Sequence, residues 1–226
     1  DYRPPEWLVP EIALDFALSL NATKVQATLK VAKNPAGTGT SLLRLNGDAI
    51  EPKSVTVDGH AHNDWHMDGA DLVIELPGDA HDVGIETLID PSANTQLSGL
   101  YASNGLLCTQ CEAEGFRRIT YFLDRPDVMA SYSVTLRADR AKYPVLLSNG
   151  NLVEQGPLED GRHFARWVDP HKKPSYLFAL VAGDLGSIHD NFVTMSGRKI
   201  ALDIYVEHGK EMRADYAMDA LKRSMK

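Results

Sequence analysis

Residues 11–31 read EIALDFALSLNATKVQATLKV, and their period is two. Ile12, Leu14, Phe16, Leu18 and Leu20 fall on one face of the first half. In the second, Val25, Ala27, Leu29 and Val31 alternate with Lys24, Gln26, Thr28 and Lys30. Alternation of this kind marks strands with one dry and one wet face, because successive side chains of an extended chain point to opposite sides. Asn21 and Ala22 suit a tight connection, so the pair predicts an antiparallel hairpin. Further alternating runs lie at 54–57, 72–76, 83–89, 131–137, 145–147, 163–168 and 176–181, separated by Gly, Pro, Asn and Asp clusters. Asn149-Gly150 is the strongest turn signal among them, since a type I′ turn requires positive φ at both central positions. The expected fold is mainly β, an antiparallel sandwich or a saddle-like curved sheet.

The pattern changes near the end of the chain. After a last hairpin around Ser196-Gly197, residues Ala214, Ala217, Met218, Leu221 and Met225 recur at helical spacing, with Asp215, Asp219, Lys222 and Arg223 between them. That amphipathic helix runs to Lys226 with no cap and no following element to cover its apolar stripe. The reading therefore places a boundary near Gly183-Asp184. Residues 1–184 form a β domain, and residues 185–226 are the incomplete opening, a hairpin plus a helix, of a second domain. The first residue is Asp1 rather than Met, so the native start is expected to have been removed.

Composition narrows the function. Lys and Arg total 23 against 31 Asp and Glu, a net charge of -8, the wrong sign for a surface that must replace counterions on phosphate. Nucleic acid is not an expected partner. No run approaches the roughly 20 apolar residues that a membrane-crossing helix needs, so no membrane partner is expected either. Two cysteines, Cys108 and Cys111, are too few for a disulfide scaffold and fit a reducing, cytoplasmic setting. Their Cys-x-x-Cys spacing supplies half a zinc site, but no second pair completes it. Glu112 beside them also disfavours a reactive thiolate. His60, His62 and His66 lie close together, and the turn signals Asp58-Gly59 and Asn63-Asp64 on either side of His60 and His62 read as an exposed hairpin loop with solvated imidazoles.

The least sheet-like stretch is residues 103–126, SNGLLCTQCEAEGFRRITYFLDRP. It gathers Gln110, Glu112, Glu114, Arg117, Arg118, Asp124 and Arg125. Taken alone, it reads as a solvated loop whose charges pair locally. The stretch nevertheless resembles the signature of the amino-terminal domain in the aminopeptidase N family, bacterial zinc exopeptidases of the gluzincin class. Four runs agree in order with that family: PSANTQLSGLY at 91–101, TYFLDRPDV at 120–128, YPVLLSNGN at 143–151 and YLFALVAGDL at 176–185. The resemblance spans essentially the whole chain and only the first part of the family's length.

The resemblance implies an active site where this β domain meets a thermolysin-like catalytic domain of the same chain. Its Gln-x-Glu element matches Gln110 and Glu112, which would hold the free α-ammonium group of a peptide substrate. The chemistry is apt, because a carboxylate beside an amide oxygen accepts hydrogen bonds from an ammonium group. Glu114, Arg117, Asp124 and Arg125, among the aromatics Phe116, Tyr121 and Phe122, are expected to support the loop as ion pairs. The family's His-Glu-x-x-His zinc motif and Gly-x-Met-Glu-Asn motif do not occur in this sequence. Zinc is therefore expected in the complete enzyme and not on these residues, which should be inactive alone. An alternative is a non-catalytic scaffold, a relative that keeps the fold without zinc ligands.

Overall fold

The computed structural model describes residues 2–226. In chain order the strands are β1 (Trp7–Ala17), β2 (Thr23–Lys33), β3 (Leu42–Leu45), β4 (Pro52–Val57), β5 (His60–Ala61), β6 (Trp65–Asp68), β7 (Asp71–Glu75), β8 (Ala80–Ile89) and β9 (Gly99–Ser103). They continue as β10 (Leu106–Gln110), β11 (Ala130–Asp139), β12 (Val145–Ser148), β13 (Asn151–Pro157), β14 (Arg162–Lys173), β15 (Leu180–Gly183), β16 (Gly186–Val193) and β17 (Lys199–Val206), followed by the helix α1 (Asp215–Ser224). The fold is mainly β, as the alternation predicts. It divides into two compact units along the chain, the first ending at Ala182 and the second running Gly183–Lys226.

In the first unit an eight-stranded sheet runs β13-β14-β11-β1-β2-β8-β4-β5, beside a four-stranded sheet β12-β15-β10-β9 and a three-stranded sheet β3-β7-β6. The inner faces of all three supply one core. Ile12, Phe16, Leu29 and Val134 come from the large sheet, Leu43 and Ile74 from the small one, and Leu107 and Leu180 from the third. The opening hairpin behaves as its pattern dictates. Leu14 pairs with Ala27 and Phe16 with Val25, and every apolar position of β2 from Val25 to Val31 is buried. Burial of each Val, Leu or Phe side chain stabilises the fold by about 1.5–3 kcal/mol, which is why a one-residue slip of register is not tolerated.

Four details differ from the sequence reading. The connection between β1 and β2 is longer than Asn21-Ala22: β1 ends at Ala17, and the Thr23 hydroxyl closes the turn by donating to the Ser19 carbonyl at 2.7 Å and accepting from the Ser19 N–H at 3.0 Å. Leu20 therefore sits at the tip of the turn and is exposed. Second, β1 pairs with β11 in parallel, within an otherwise antiparallel sheet. Third, the run at 176–181 is only partly strand, because a 3-10 turn over Ser175–Leu177 precedes β15.

The fourth correction concerns Asn149-Gly150. Only Gly150 has positive φ, at 91°, and the strands on either side belong to different sheets, so this is a crossing and not a type I′ hairpin. The Asn149 side chain is used instead as a clip. Its Oδ1 accepts from the Ala179 N–H at 2.7 Å, and its Nδ2 donates to the Leu177 carbonyl at 3.2 Å. Asn104-Gly105 makes a hairpin turn instead: Asn104 at φ 50° and Gly105 at φ 82° join β9 to β10, both with the positive φ that type I′ requires.

A corner of the large sheet carries a pH-dependent contact. The His81 ring on β8 bonds the Asp58 carboxylate at 2.8 Å, and Asp58 also accepts from the Asp82 N–H at 2.9 Å. The Asp58 contact holds His81 above the ordinary histidine range, and the His81 contact holds Asp58 below the ordinary carboxylate range. The two contributions leave in opposite directions. That of His81 is complete below its unfolded pKa and is lost as pH rises through the raised folded value. That of Asp58 is complete above its unfolded pKa and is lost as pH falls through the depressed value. Urea midpoints of the wild type should therefore decline relative to His81→Ala as pH rises past about 6.5. Parallel midpoints in the two proteins across that range would show the pair contributes nothing.

The second unit is the hairpin β16–β17 with α1 packed on it. Gly197, at φ 82°, lies in its turn, where the sequence reading puts it. The helix is covered more than its sequence suggests. Ala214 and Met218 are buried with Leu202 of β17, and Lys222 pairs with Asp190 of β16, whereas Leu221 and Tyr216 remain exposed.

Candidate functional site

The β9–β10 hairpin ends by delivering Gln110 and, two residues later, Glu112 to the surface, where both are exposed. Between them Cys111 turns inward and is 2% exposed. The Gln110 amide Nε2 donates to the Glu112 carbonyl oxygen at 3.3 Å. A carbonyl can only accept, so this contact fixes the amide orientation and leaves Oε1 as its acceptor atom. Among the described residues no hydrogen bond or ion pair engages the Glu112 carboxylate.

Its neighbours are all engaged. Arg117 forms an ion pair with Glu114, Nη1 to Oε2 at 3.3 Å, and donates from Nε to Asp124 Oδ2 at 2.9 Å and from Nη2 to the Asp124 carbonyl at 2.8 Å. The Arg117 N–H also reaches Asp124 Oδ2, at 3.2 Å, and the Ser175 hydroxyl donates to Oδ1. Arg125 forms a two-pronged pair with Asp127, at 2.6 and 2.7 Å. Glu112, Glu114, Asp124, Arg125 and Tyr176 line a pocket of about 260 Å³. A larger depression of about 370 Å³ lies over β1, β2, β11 and β14, but its charged residues are already matched, Glu11 with Lys30 and Asp169 with Lys173.

The segment is seated from below by its own aromatics. Phe116 is fully buried and meets Phe122, Phe178 and Tyr132 edge-on, with ring centroids 5.2, 5.3 and 6.2 Å apart. The Thr87 hydroxyl of β8 donates to the Ile119 carbonyl at 2.8 Å, and Asn46 and Phe122 exchange backbone hydrogen bonds. At Gly115 the chain passes too close for a side chain. An added Cβ would overlap the Gln110 carbonyl oxygen and lie 3.0 Å from the Cys111 Cα. Gly115→Ala is therefore expected to destabilise the fold by about 1–3 kcal/mol, read from the urea midpoint. An unchanged midpoint would contradict this packing.

Compared with known protein families, residues 9–177 match the Peptidase M1 N-terminal domain. The chain belongs to the M1 peptidase family. This M1 chain is 47% identical to aminopeptidase N of Haemophilus influenzae, 50% to that of Caulobacter vibrioides and 48% to that of Escherichia coli. In each case all of the chain is covered and 26% of the relative. It thus spans about a quarter of the length of these curated relatives. Among solved structures, aminopeptidase A of Legionella pneumophila, in complex with aspartic acid, superimposes with a TM-score of 0.95 at 33% identity, over 100% of this chain and 27% of that one. An M1 zinc metallopeptidase of Deinococcus radiodurans gives 0.76 at 15% identity over 91% of this chain and 48% of its own, a likeness of fold.

The zinc of such M1 relatives does not fit the residues present. Among the described residues no three or more His, Cys, Asp or Glu side chains converge as ligands. His62 bonds the Glu75 carbonyl at 3.0 Å, and His60 and His66 lie in different sheets. Cys108 and Cys111 are free thiols, and burial pushes Cys111 up to about 12, far from a ligating thiolate. No helix among the described residues is long and apolar enough to cross a membrane.

The loop brings together Gln110, Glu112, Glu114, Arg117, Asp124 and Arg125, as its sequence suggests, with Arg117 paired to Glu114 and Asp124 and Arg125 paired to Asp127. Sequence reasoning missed Ser175, Tyr176 and Asn46, which reach the same pocket or its wall from 51 to 78 residues away. It also takes residues 103–126 as the least sheet-like stretch, whereas β10 lies inside it.

Proposed function

We propose that this chain is the amino-terminal, substrate-anchoring part of a zinc aminopeptidase that releases amino-terminal residues from peptides. Glu112 accepts hydrogen bonds from the free α-ammonium group of the substrate, and Gln110 contributes its Oε1. The observation that carries this reading is the unmatched Glu112 carboxylate in a loop where each neighbouring charge is paired. An exposed carboxylate alone would be solvated. Covered by a catalytic domain of the same chain, it becomes a desolvated acceptor that an ammonium group satisfies and a blocked terminus does not.

In this reading residues 185–226 open that catalytic domain, whose thermolysin-like remainder holds the zinc. Residues 1–226 alone are inactive. The relatives named aminopeptidase N support the assignment, and the free thiols support a cytoplasmic setting. The test is hydrolysis of aminoacyl chromogenic substrates by the full-length protein and by residues 1–226, each with zinc and with a chelator. Zinc-dependent turnover confined to the full-length protein is expected. Turnover in neither would remove the enzymatic reading.

A further inference from the structure

We propose that Asp124 is the positioning residue for Glu112, an inference that rests on the anchoring reading above. Its carboxylate is 1% exposed, and each oxygen has a donor: Arg117 Nε and N–H at Oδ2, Ser175 Oγ at Oδ1. Its backbone is committed too, the N–H to Asn46 Oδ1 at 3.2 Å and the carbonyl to Arg117 Nη2 at 2.8 Å. A buried carboxylate with both oxygens occupied, matched by a guanidinium, does not itself receive a ligand cation. It acts through what it holds.

What it holds are the two sides of the pocket. On one side, Cys111 to Arg118 is a run of short-range bonds, Gly115 N–H to the Cys111 carbonyl at 2.8 Å and Arg118 N–H to the Gly115 carbonyl at 3.1 Å, and Glu112 and Glu114 project from it. Arg117 pins the far end of that run to Asp124, and its remaining nitrogen steadies Glu114. On the other side, Ser175 ties Asp124 to the turn that carries Tyr176. Glu112 has no side-chain bond of its own among the described residues, so its place is set through its backbone, by this run and by the Gln110 amide on its carbonyl oxygen. Displacement of an anchoring group by about 1 Å costs on the order of 100-fold in rate, and loss of a supporting partner to a functional residue about 10- to 100-fold.

The experiment is a double-mutant cycle in the full-length protein. Asp124→Asn should lower kcat/KM on free aminoacyl substrates about 10-fold. In a Glu112→Ala background the same substitution should change it less than about 2-fold, because the group it positions is gone. Its effect on Tm should be equal in both backgrounds. A role in folding alone gives a different outcome: the kinetic loss is absent, or equal in both backgrounds, and either result overturns the proposal. If Asp124→Asn does not fold, Ser175→Ala carries the same cycle, with an expected loss of about 5-fold from one hydrogen bond. Wild-type kinetics from Glu112→Ala would instead overturn the anchoring reading beneath it.

Discussion

Glu112→Ala in the full-length protein should raise KM and lower kcat together on substrates with a free amino terminus. Hydrogen bonds to a charged partner are worth about 1.5–3 kcal/mol each, so kcat/KM should fall about 10- to 150-fold per bond lost. Both constants move because the anchor does more than bind. An exopeptidase must place one particular peptide bond at its chemistry, and the distance from the held ammonium group to that bond sets the register. A carboxylate that bound substrate and transition state equally would change KM alone. Steady-state kinetics on aminoacyl substrates separate these outcomes. Unchanged constants would remove Glu112 from the site.

The second large effect is on stability. Phe116→Ala should cost about 3–5 kcal/mol, since it empties a fully buried site in which three aromatic rings meet the missing one edge-on. The cavity cannot collapse easily, because Phe122, Tyr132 and Phe178 arrive from a loop, a strand of the large sheet and the segment before β15, each tied elsewhere. Urea unfolding followed by tryptophan fluorescence reads this directly, as Trp7, Trp65 and Trp167 all lie in the first unit. The midpoint should drop with the slope unchanged. A loss under about 1 kcal/mol would mean that the aromatic cluster is not the support of the Glu112 loop.

Much of this was legible in the chain. The alternation in residues 11–31 predicts a hairpin, and β1 and β2 pair as it requires, because a dry face admits one register. What periodicity does not carry is which strands become neighbours. The parallel pairing of β1 with β11 joins residues more than a hundred positions apart, and neither strand's pattern differs from that of an antiparallel one. Local turn chemistry misleads in a related way. Asn104-Gly105 and Asn149-Gly150 are the same dipeptide, yet the first joins paired strands and the second crosses between sheets, with its Asn spent on Leu177 and Ala179. The distinction lies in tertiary contacts that no short window contains.

The loop divides along the same line. Its charges are visible in residues 103–126, and pairing of Arg117 with Asp124 and Glu114 follows from their proximity. Ser175, the second donor to Asp124, is 51 residues away and has no sequence signal as a serine before a tyrosine. Nor does the sequence disclose that Glu112, alone among the loop carboxylates, is left without a partner among the described residues. Solvent exposure of Glu112 in this chain also differs from the desolvated anchor that the chemistry asks for. The proposed covering domain supplies the difference.

The most direct measurement of the central claim is inhibition of the full-length protein by a free amino acid and by its N-acetylated form, in the wild type and in Glu112→Gln. The wild type should bind the free amine at least about 10-fold more tightly, and Glu112→Gln should erase most of that preference, since a neutral amide loses the charge-assisted bonds. An undiminished preference in Glu112→Gln would contradict the account, because the ammonium group would then be held elsewhere.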